Sequence, residues 1–185
     1  MAAREDQERF RGLYLRHHPS LIAFFTRRIG SQEAMDCTDE VFSVAWRRFD
    51  QVPSDGSALP WLYGVARNVL ANRRRSGRRH NRLLARLWGT RQTHVLGPEP
   101  EVLRSLEGRR VVEALALLRA DDRDLLLLSY WEGLTHRQIG ELLGCSTSAV
   151  DARAHRALGR MRRAMDRSGG RPGAPVGGTT ILEEQ

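Results

Sequence analysis

The chain has 185 residues and a formal net charge of +8, and all 30 of its basic residues are arginines. This length allows one domain or two small ones with a real core, and the positive charge favours a polyanionic partner such as nucleic acid. Cys37 and Cys145 belong to no CxxC or His/Cys cluster, and we find no signal peptide or apolar membrane-spanning run, so we expect a cytoplasmic protein with no metal site and no disulfide framework.

Helical spacing of apolar residues dominates the first half of the chain, and strand patterns are almost absent. Pro19 interrupts the first run of apolar residues and is predicted to open a second helix. A third helix is predicted from Ser31 or Gln32 to Phe49, then a loop over Gln51 to Leu59 and a helix from Trp61 to about Arg75.

Arginines crowd the next segment, which ends in the helix-breaking string GPEP, and four further helices are predicted after it. Their expected ranges are Leu106 to Leu118, Asp121 to Trp131, Thr135 to Leu143, and Ser146 to about Asp166. The sequence therefore predicts an all-α protein with two small helical domains, over residues 1–76 and 105–167. A flexible basic linker is expected over 77–104 and a disordered tail over 168–185.

The second domain carries a helix-turn-helix pattern. Thr135 and Gln138 form a capping box, Gly144 suits a left-handed C-terminal position, and Ser146 or Thr147 can cap the next helix. In that next helix we expect an inward apolar face, formed by Val150, Ala154, Ala157 and Leu158, and an outward arginine row, formed by Arg153, Arg156, Arg160 and Arg163. Such a unit lays its second helix in the major groove of DNA, although an ordinary helical hairpin with solvated arginines has the same pattern.

The string WLYGVARNVLANRRRS (61–76) combines aromatic residues with a basic end. Aromatic rings stack on unpaired bases and arginines bind the backbone phosphates, so this helix suits single-stranded DNA. Trp61 and Tyr63 could equally be core residues.

Read together, the two halves resemble the extracytoplasmic-function group of the sigma-70 family of bacterial RNA polymerase. The resemblance rests on MDCTDEVFSVAW (35–46), WLYGVARN (61–68) and the segment 117–158, which lie in the family's order. It implies a protein that binds core RNA polymerase, reads the −10 and −35 promoter elements and catalyses no reaction. It also makes an anti-sigma partner plausible.

The resemblance also implies roles for individual residues. Those expected to bind polymerase are Asp36, Glu40, Phe42 and Trp46. Those expected to contact −10 or melted DNA are Trp61, Arg67, Asn68, Arg73, Arg74 and Arg75. Those expected to meet the −35 duplex are Thr147, Ser148, Arg153 and Arg156. The loop 51–59 corresponds to the family segment that accepts a base flipped out of the stack.

Several positions depart from the family pattern. Asp151 stands in the recognition helix where a basic residue is usual. Its carboxylate would repel phosphates but could accept a hydrogen bond from a cytosine amino group. Cys145 replaces an aliphatic residue, so we expect it to be buried. Two alternatives remain at this stage: a stand-alone helix-turn-helix regulator that needs no polymerase, and a helical enzyme, for which we find no convergent catalytic or cofactor-binding residues.

Overall fold

The computed structural model describes residues 2–54, 56–88 and 105–169, with side chains from 4 to 76 and from 105 to 167 apart from residue 55. All regular secondary structure in these ranges is helical. The expected tail from 170, and the linker residues 89–104, lie outside the described residues.

Three long helices form the N-terminal part. They are α1 (Ala2–Ile29), α2 (Ser31–Arg47) and α3 (Ala58–Trp88), with a short 3-10 turn at Phe49–Gln51 between α2 and α3. α1 packs along α2, and α3 packs against both. Their apolar faces meet in a core that includes Leu21, Phe24, Phe25, Val41, Leu62 and Ala66, all fully buried.

Pro19 does not start a new helix, contrary to the expectation from the sequence. α1 runs through it without a break. A proline lacks the N–H that would donate to the carbonyl four residues earlier, which here is the carbonyl of Leu15. Leu15 and Pro19 are both exposed, so water can donate to that carbonyl instead. Tyr14 before the proline and Phe24 after it both pack against the core. Burial on both sides therefore outweighs the lost bond.

α3 also differs from its expected range. It begins at Ala58 rather than Trp61 and ends at Trp88 rather than near Arg75. Pro60 lies in its first turn, where the missing N–H has no helical partner to lose. The segment 77–88, which we assigned to the linker, is thus a continuation of α3.

The C-terminal part contains α4 (Leu106–Ala116), α5 (Ala120–Tyr130), α6 (His136–Leu143) and α7 (Thr147–Gly169), close to the four expected ranges. α7 packs against α4, α5 and α6. Leu125, Leu126, Leu128, Ile139 and Val150 are almost completely buried and form the centre of this domain. The four-leucine run of α5 is thus the core of a small bundle.

Candidate nucleic-acid interface

The helix-turn-helix forms as the sequence predicts. Thr135 Oγ1 accepts from the backbone N–H of Gln138, and the Gln138 side chain accepts from the backbone N–H of Thr135. Gly144 ends α6 in the left-handed region, at φ 66°. Ser146 Oγ accepts from the backbone N–H of Ala149 at 3.2 Å and caps α7. These contacts fix the angle at which α7 leaves the turn.

Gly140 sets how closely the two helices approach. A Cβ placed on it would lie 2.7 Å from the backbone oxygen of Cys145, a distance at which atoms overlap. The backbone N–H of Cys145 in turn donates to the carbonyl of Gly140 at 2.9 Å. The backbone of Cys145 therefore faces α6 and its side chain is exposed. Our expectation that Cys145 is buried was wrong, because the turn presents its peptide group to α6 instead of its side chain.

The inward face of α7 is confirmed for three of the four residues named. Val150, Ala154 and Ala157 are buried, but Leu158 is 38% exposed. Met161 and Ala164, further along α7, pack inward instead. The helix turns about 100° per residue, which carries Leu158 to the flank of the buried stripe.

The arginine row on α7 is divided in two by Asp122 of α5. The Asp122 carboxylate is buried and accepts from Arg153 Nε at 3.2 Å and from Arg160 Nη2 at 2.7 Å. Arg156 and Arg163 are exposed. Of the four residues expected to meet the −35 duplex, Thr147 and Ser148 lie exposed in the first turn of α7 and Arg156 is exposed in its third turn. Arg153 is held against α5.

On α2 the expected partner-binding residues are also divided. Asp36, Glu40 and Trp46 are exposed, and Trp46 remains 49% accessible although its ring contacts Phe10 at 4.9 Å. Phe42 is buried, with its ring centroid 4.6 Å from that of Tyr14. We therefore assign Phe42 to the core that supports the exposed acidic surface of α2, which we define by Asp36, Glu40 and Trp46.

The residues expected to contact −10 DNA lie along α3. Trp61, Arg67 and Asn68 line a cleft of about 420 Å³ whose opposite wall is formed by Gln138, Glu141 and Leu142 of α6. Trp61 is half-buried, so its ring is neither a core residue nor a free surface group. Tyr63, by contrast, is buried and stacks on Phe24. Arg73, Arg74 and Arg75 continue along the same helix, and Arg73 lies 3.9 Å from Asp36.

The loop before α3 borders a second pocket. It has a volume of about 470 Å³ and lies between Val52, Pro53, Ser54 and Gly56 on one side and α1 on the other. α1 contributes Arg9, Arg16 and His17 to it. Burial, with the neighbouring Arg16, lowers the pKa of His17. The pocket thus combines apolar walls with positive charge, which suits a nucleobase and its phosphate.

Sequence reasoning missed an ion-pair cluster between the two parts of the chain. Arg28 donates to Asp124 at 2.9 Å and to Glu132 at 2.8 Å, and Arg27 donates to Glu132 at 2.7 Å. Arg67 donates to the other oxygen of Asp124 at 3.1 Å. We call these five residues, Arg27, Arg28, Arg67, Asp124 and Glu132, the interdomain cluster. Only the Arg27–Arg28 doublet is visible in the sequence, and nothing in its spacing identifies partners about 100 positions away.

The electrostatics of the interdomain cluster follow from its burial. Burial alone would raise the pKa of the Asp124 carboxyl, but the guanidiniums of Arg28 and Arg67 outweigh it and hold that pKa below the usual range. The hydroxyl of Tyr63 is hydrogen-bonded to Glu132, and burial together with the negative charge of Glu132 raises the pKa of Tyr63. The Asp124 carboxyl is therefore charged at neutral pH, and the Tyr63 hydroxyl keeps its proton and its hydrogen bond to Glu132.

No catalytic or metal centre emerges in the part of the chain that the structure describes. It contains no group of three or more His, Cys, Asp or Glu side chains placed to hold a metal ion. Cys37 is buried, and burial raises the pKa of its thiol. None of the helices within residues 2–88 and 105–169 combines the length and apolar character needed to cross a membrane.

Comparison with known proteins identifies both parts. Residues 13–80 match the family Sigma-70 region 2, and residues 108–161 match Sigma-70, region 4. The chain is 30% identical over 169 residues to the RNA polymerase sigma factor NccH of Alcaligenes xylosoxydans xylosoxydans, covering 86% of this chain and 88% of NccH. It is 29% identical to the ECF RNA polymerase sigma factor SigL of Mycobacterium tuberculosis, covering 91% of this chain and 95% of SigL.

Two further matches differ in what they cover. The probable RNA polymerase sigma factor RfaY of Xanthomonas campestris pv. campestris is 34% identical over 141 residues, but this chain spans only 34% of its length. The fold is similar to that of the sigma factor RpoE in complex with the anti-sigma factor NepR from Bartonella quintana. That match has a TM-score of 0.69 at 22% identity, covering 86% of this chain and 98% of the other.

Proposed function

Because this chain belongs to the extracytoplasmic-function group of the sigma-70 family, we propose that α2 binds core RNA polymerase and that α3 and α7 contact the promoter. The protein is an RNA polymerase sigma factor, which binds core polymerase, directs it to promoters and is not an enzyme. The observation that carries the residue assignments is an exposed acidic helix, an arginine-rich helix with a half-buried tryptophan and a capped helix-turn-helix in one chain.

The polymerase-binding surface consists of Asp36, Glu40 and Trp46 on α2. All three are exposed on a protein that is otherwise strongly basic. Two exposed carboxylates and an exposed indole on one helix give charge complementarity to a basic partner together with an apolar anchor. Phe42 supports this surface from below through its contact with Tyr14.

The −10 surface consists of Trp61, Arg67 and Asn68, extended along α3 by Arg73, Arg74 and Arg75. The half-buried indole and the arginines supply the stacking and the phosphate contacts that unpaired DNA needs. The pocket beside the loop 51–59 would accept a flipped base. Its two arginines from α1, Arg9 and Arg16, would neutralise the adjoining phosphate.

The −35 surface lies at the start of α7, where the first turns of a recognition helix meet base edges. Thr147 and Ser148 are exposed in the first turn, and Arg156 is exposed in the third. Arg153 belongs to this surface as well, once its ion pair with Asp122 is exchanged for DNA. Until then Asp122 holds α7 against α5 through Arg153 and Arg160.

The domain assignment follows the same division. We assign the polymerase-binding and −10 domain to residues 1–88, because α3 continues through 77–88. The linker is then 89–104, and the −35 domain covers 105–167. The protein works in the cytoplasm, where core polymerase is found. An anti-sigma factor is a further candidate partner, since RpoE of Bartonella quintana, whose fold is similar, was solved with one.

The test measures the affinity for core RNA polymerase, followed by run-off transcription, for the full chain and its Asp36→Arg/Glu40→Arg variant. Losing two favourable contacts of about 1 kcal/mol each lowers polymerase affinity on the order of 30-fold. The matched control, Glu107→Arg/Glu113→Arg on α4, makes the same change in charge at exposed positions and should bind as wild type does. Equal polymerase binding by both double variants would refute the assignment of α2.

A further inference from the structure

The interdomain cluster is the feature that the proposed function does not explain. Arg28 and Glu132 have side chains that are each only 1% exposed, and that of Asp124 is 17% exposed. Charges withdrawn from water to this extent are stable only when they are paired. The cluster therefore forms or separates as a unit.

The cluster joins the two parts of the chain at the −10 surface. Arg67, proposed to bind −10 DNA, donates to Asp124 of α5 instead. Trp61 and Asn68 face a cleft whose other wall belongs to α6. The helix-turn-helix thus lies directly opposite the side chains that would receive melted DNA.

The carboxylates of Asp124 and Glu132 present to the arginines what a nucleic-acid backbone presents. Guanidinium groups bind carboxylate and phosphate oxygens with the same forked geometry. Asp124 bridges Arg28 and Arg67 with its two oxygens, at 2.9 and 3.1 Å, much as one phosphate would. DNA and Asp124 therefore compete for Arg67.

The arrangement is also incompatible with a promoter-bound state. The −10 and −35 elements lie about 25 base pairs apart, a distance of roughly 85 Å along B-form DNA. α3 and α6 touch each other in this structure, so α3 and α7 cannot reach both elements together. The two domains must separate before the promoter is bound.

We infer that Asp124 and Glu132 form an internal phosphate mimic that closes the free protein and withholds its −10 surface from DNA until core polymerase separates the domains. This inference rests on the proposed role of α3. It assigns a function to two acidic residues of the −35 domain that belong to none of the three proposed binding surfaces.

The first experiment opens the cluster by removing charge. Asp124→Asn/Glu132→Gln keeps the shape of both side chains, and Glu113→Gln/Asp121→Asn is the charge-matched control at exposed positions. Dyes on the exposed Cys145 and on an introduced Ser43→Cys report the separation of the domains by energy transfer. A fluorescent 12-nucleotide single strand of mixed sequence reports access to α3.

The Asp124→Asn/Glu132→Gln variant leaves buried arginines without a charged partner, and this alone could unfold it. A second variant avoids that problem. Glu141 is exposed and lines the cleft opposite Arg67, so Glu141→Arg repels α3 while leaving the cluster residues unchanged. Its control is Glu113→Arg. Circular dichroism and thermal unfolding show which variants are folded.

We expect the opened variants to lose energy transfer and to bind the single strand about fivefold or more tightly than their controls, because the freed arginines bind phosphate. Adding Arg67→Ala should abolish that gain. The inference is overturned if every folded variant keeps wild-type energy transfer and wild-type affinity for the strand.

Run-off transcription with core polymerase separates this failure from failure of the proposed function. Arg67→Ala in the wild-type background should lower transcription if α3 contacts melted DNA. If transcription falls while the opening variants change nothing, the internal mimic is wrong and the role of α3 stands. If Arg67→Ala leaves transcription unchanged, the assignment of α3 fails, and the inference fails with it.

Discussion

Asp151 of the recognition helix contacts His136, the first residue of α6, through its carboxylate oxygen Oδ1 and the imidazole Nδ1. The acidic residue at this position is therefore tied to the helix before the turn. Its side chain is still 58% exposed, so the pair lies at the edge of the surface proposed to meet the −35 duplex.

Replacing Asp151 with Asn should strengthen binding to duplex DNA of any sequence. The change removes one negative charge from near the phosphates, worth about 1 kcal/mol at 4 Å in water, or roughly fivefold in affinity at low salt. Fluorescence anisotropy with a duplex at two salt concentrations measures this. Glu113→Gln, at an exposed position on α4, is the control.

The same variant should change stability little, because an exposed pair contributes at most about 1 kcal/mol. If Asp151→Asn leaves duplex affinity unchanged at both salt concentrations, Asp151 does not lie against DNA. The pair with His136 would then serve only to join α6 to α7.

Replacing Arg153 should lower the stability of the domain, whereas replacing Arg156 should weaken DNA binding and leave stability almost unchanged. Arg153→Ala leaves the buried Asp122 carboxylate with Arg160 as its remaining close guanidinium, which should cost about 1–2 kcal/mol of unfolding free energy. Arg156 is exposed, so Arg156→Ala should leave stability within about 0.5 kcal/mol of wild type and weaken −35 binding.

Urea unfolding and duplex binding, measured on both variants, check this pair of outcomes. Asp122→Asn is the matched control, since it breaks the same contacts from the other side and should destabilise the domain as Arg153→Ala does. Equal stability of wild type and Arg153→Ala would contradict a structural role for Arg153.

How far the sequence predicts this molecule depends on whether the interaction is local. The capping box at Thr135 and the left-handed Gly144 involve residues within a few positions of each other, and both are confirmed. Pro19 was misjudged because its local cost is offset by packing of α1 against other helices. Arg28 and Asp124 are 96 positions apart, and one sequence holds no signal that pairs them.

The candidate site shows the same limit at the level of side chains. The helices that carry the proposed surfaces were predicted, but the orientation of Phe42 and Cys145 was not. Phe42 points into the core, and Cys145 points outward because its peptide group packs on Gly140. Both orientations depend on the approach of a neighbouring helix, which hydrophobic spacing alone does not specify.

Gly140→Ala should loosen the turn of the helix-turn-helix. The added methyl group would lie 2.7 Å from the Cys145 carbonyl oxygen, and moving a backbone atom to relieve that contact costs about 1–3 kcal/mol. Gly159→Ala is the control, because its Cβ meets only the end of the Arg163 side chain at 3.8 Å. That change should stabilise α7 by up to about 1 kcal/mol.

Thermal unfolding of the two alanine variants, followed by duplex binding, tests this contrast. We expect a lower melting temperature and weaker binding for Gly140→Ala, with no loss for Gly159→Ala. Comparable melting temperatures for the two would show that the turn tolerates a side chain and that Gly140 does not determine the approach of α6 to the turn.

The interdomain cluster should respond to acid and be insensitive to pH near neutrality. The pKa of Asp124 is lowered in the folded protein by Arg28 and Arg67, so its stabilisation is complete above the ordinary carboxyl pKa of about 3.9 and is lost as the pH falls through the lowered value. Asp124 also interacts with Arg123, whose pKa is lowered by burial in spite of that carboxylate. Glu132 faces Arg27, Arg28 and Tyr63, and the raised pKa of Tyr63 keeps that hydroxyl protonated at neutral pH.

Energy transfer between dyes on Cys145 and Ser43→Cys should therefore stay constant from about pH 5 to pH 8 and decrease only below about pH 4. In Asp124→Asn the Asp124 contribution to that acid transition should disappear. A decrease near pH 6 would mean that a histidine controls the closed state. None of the groups just named at Asp124 and Glu132 is a histidine. That result would therefore contradict the inference that these two carboxylates hold the domains together.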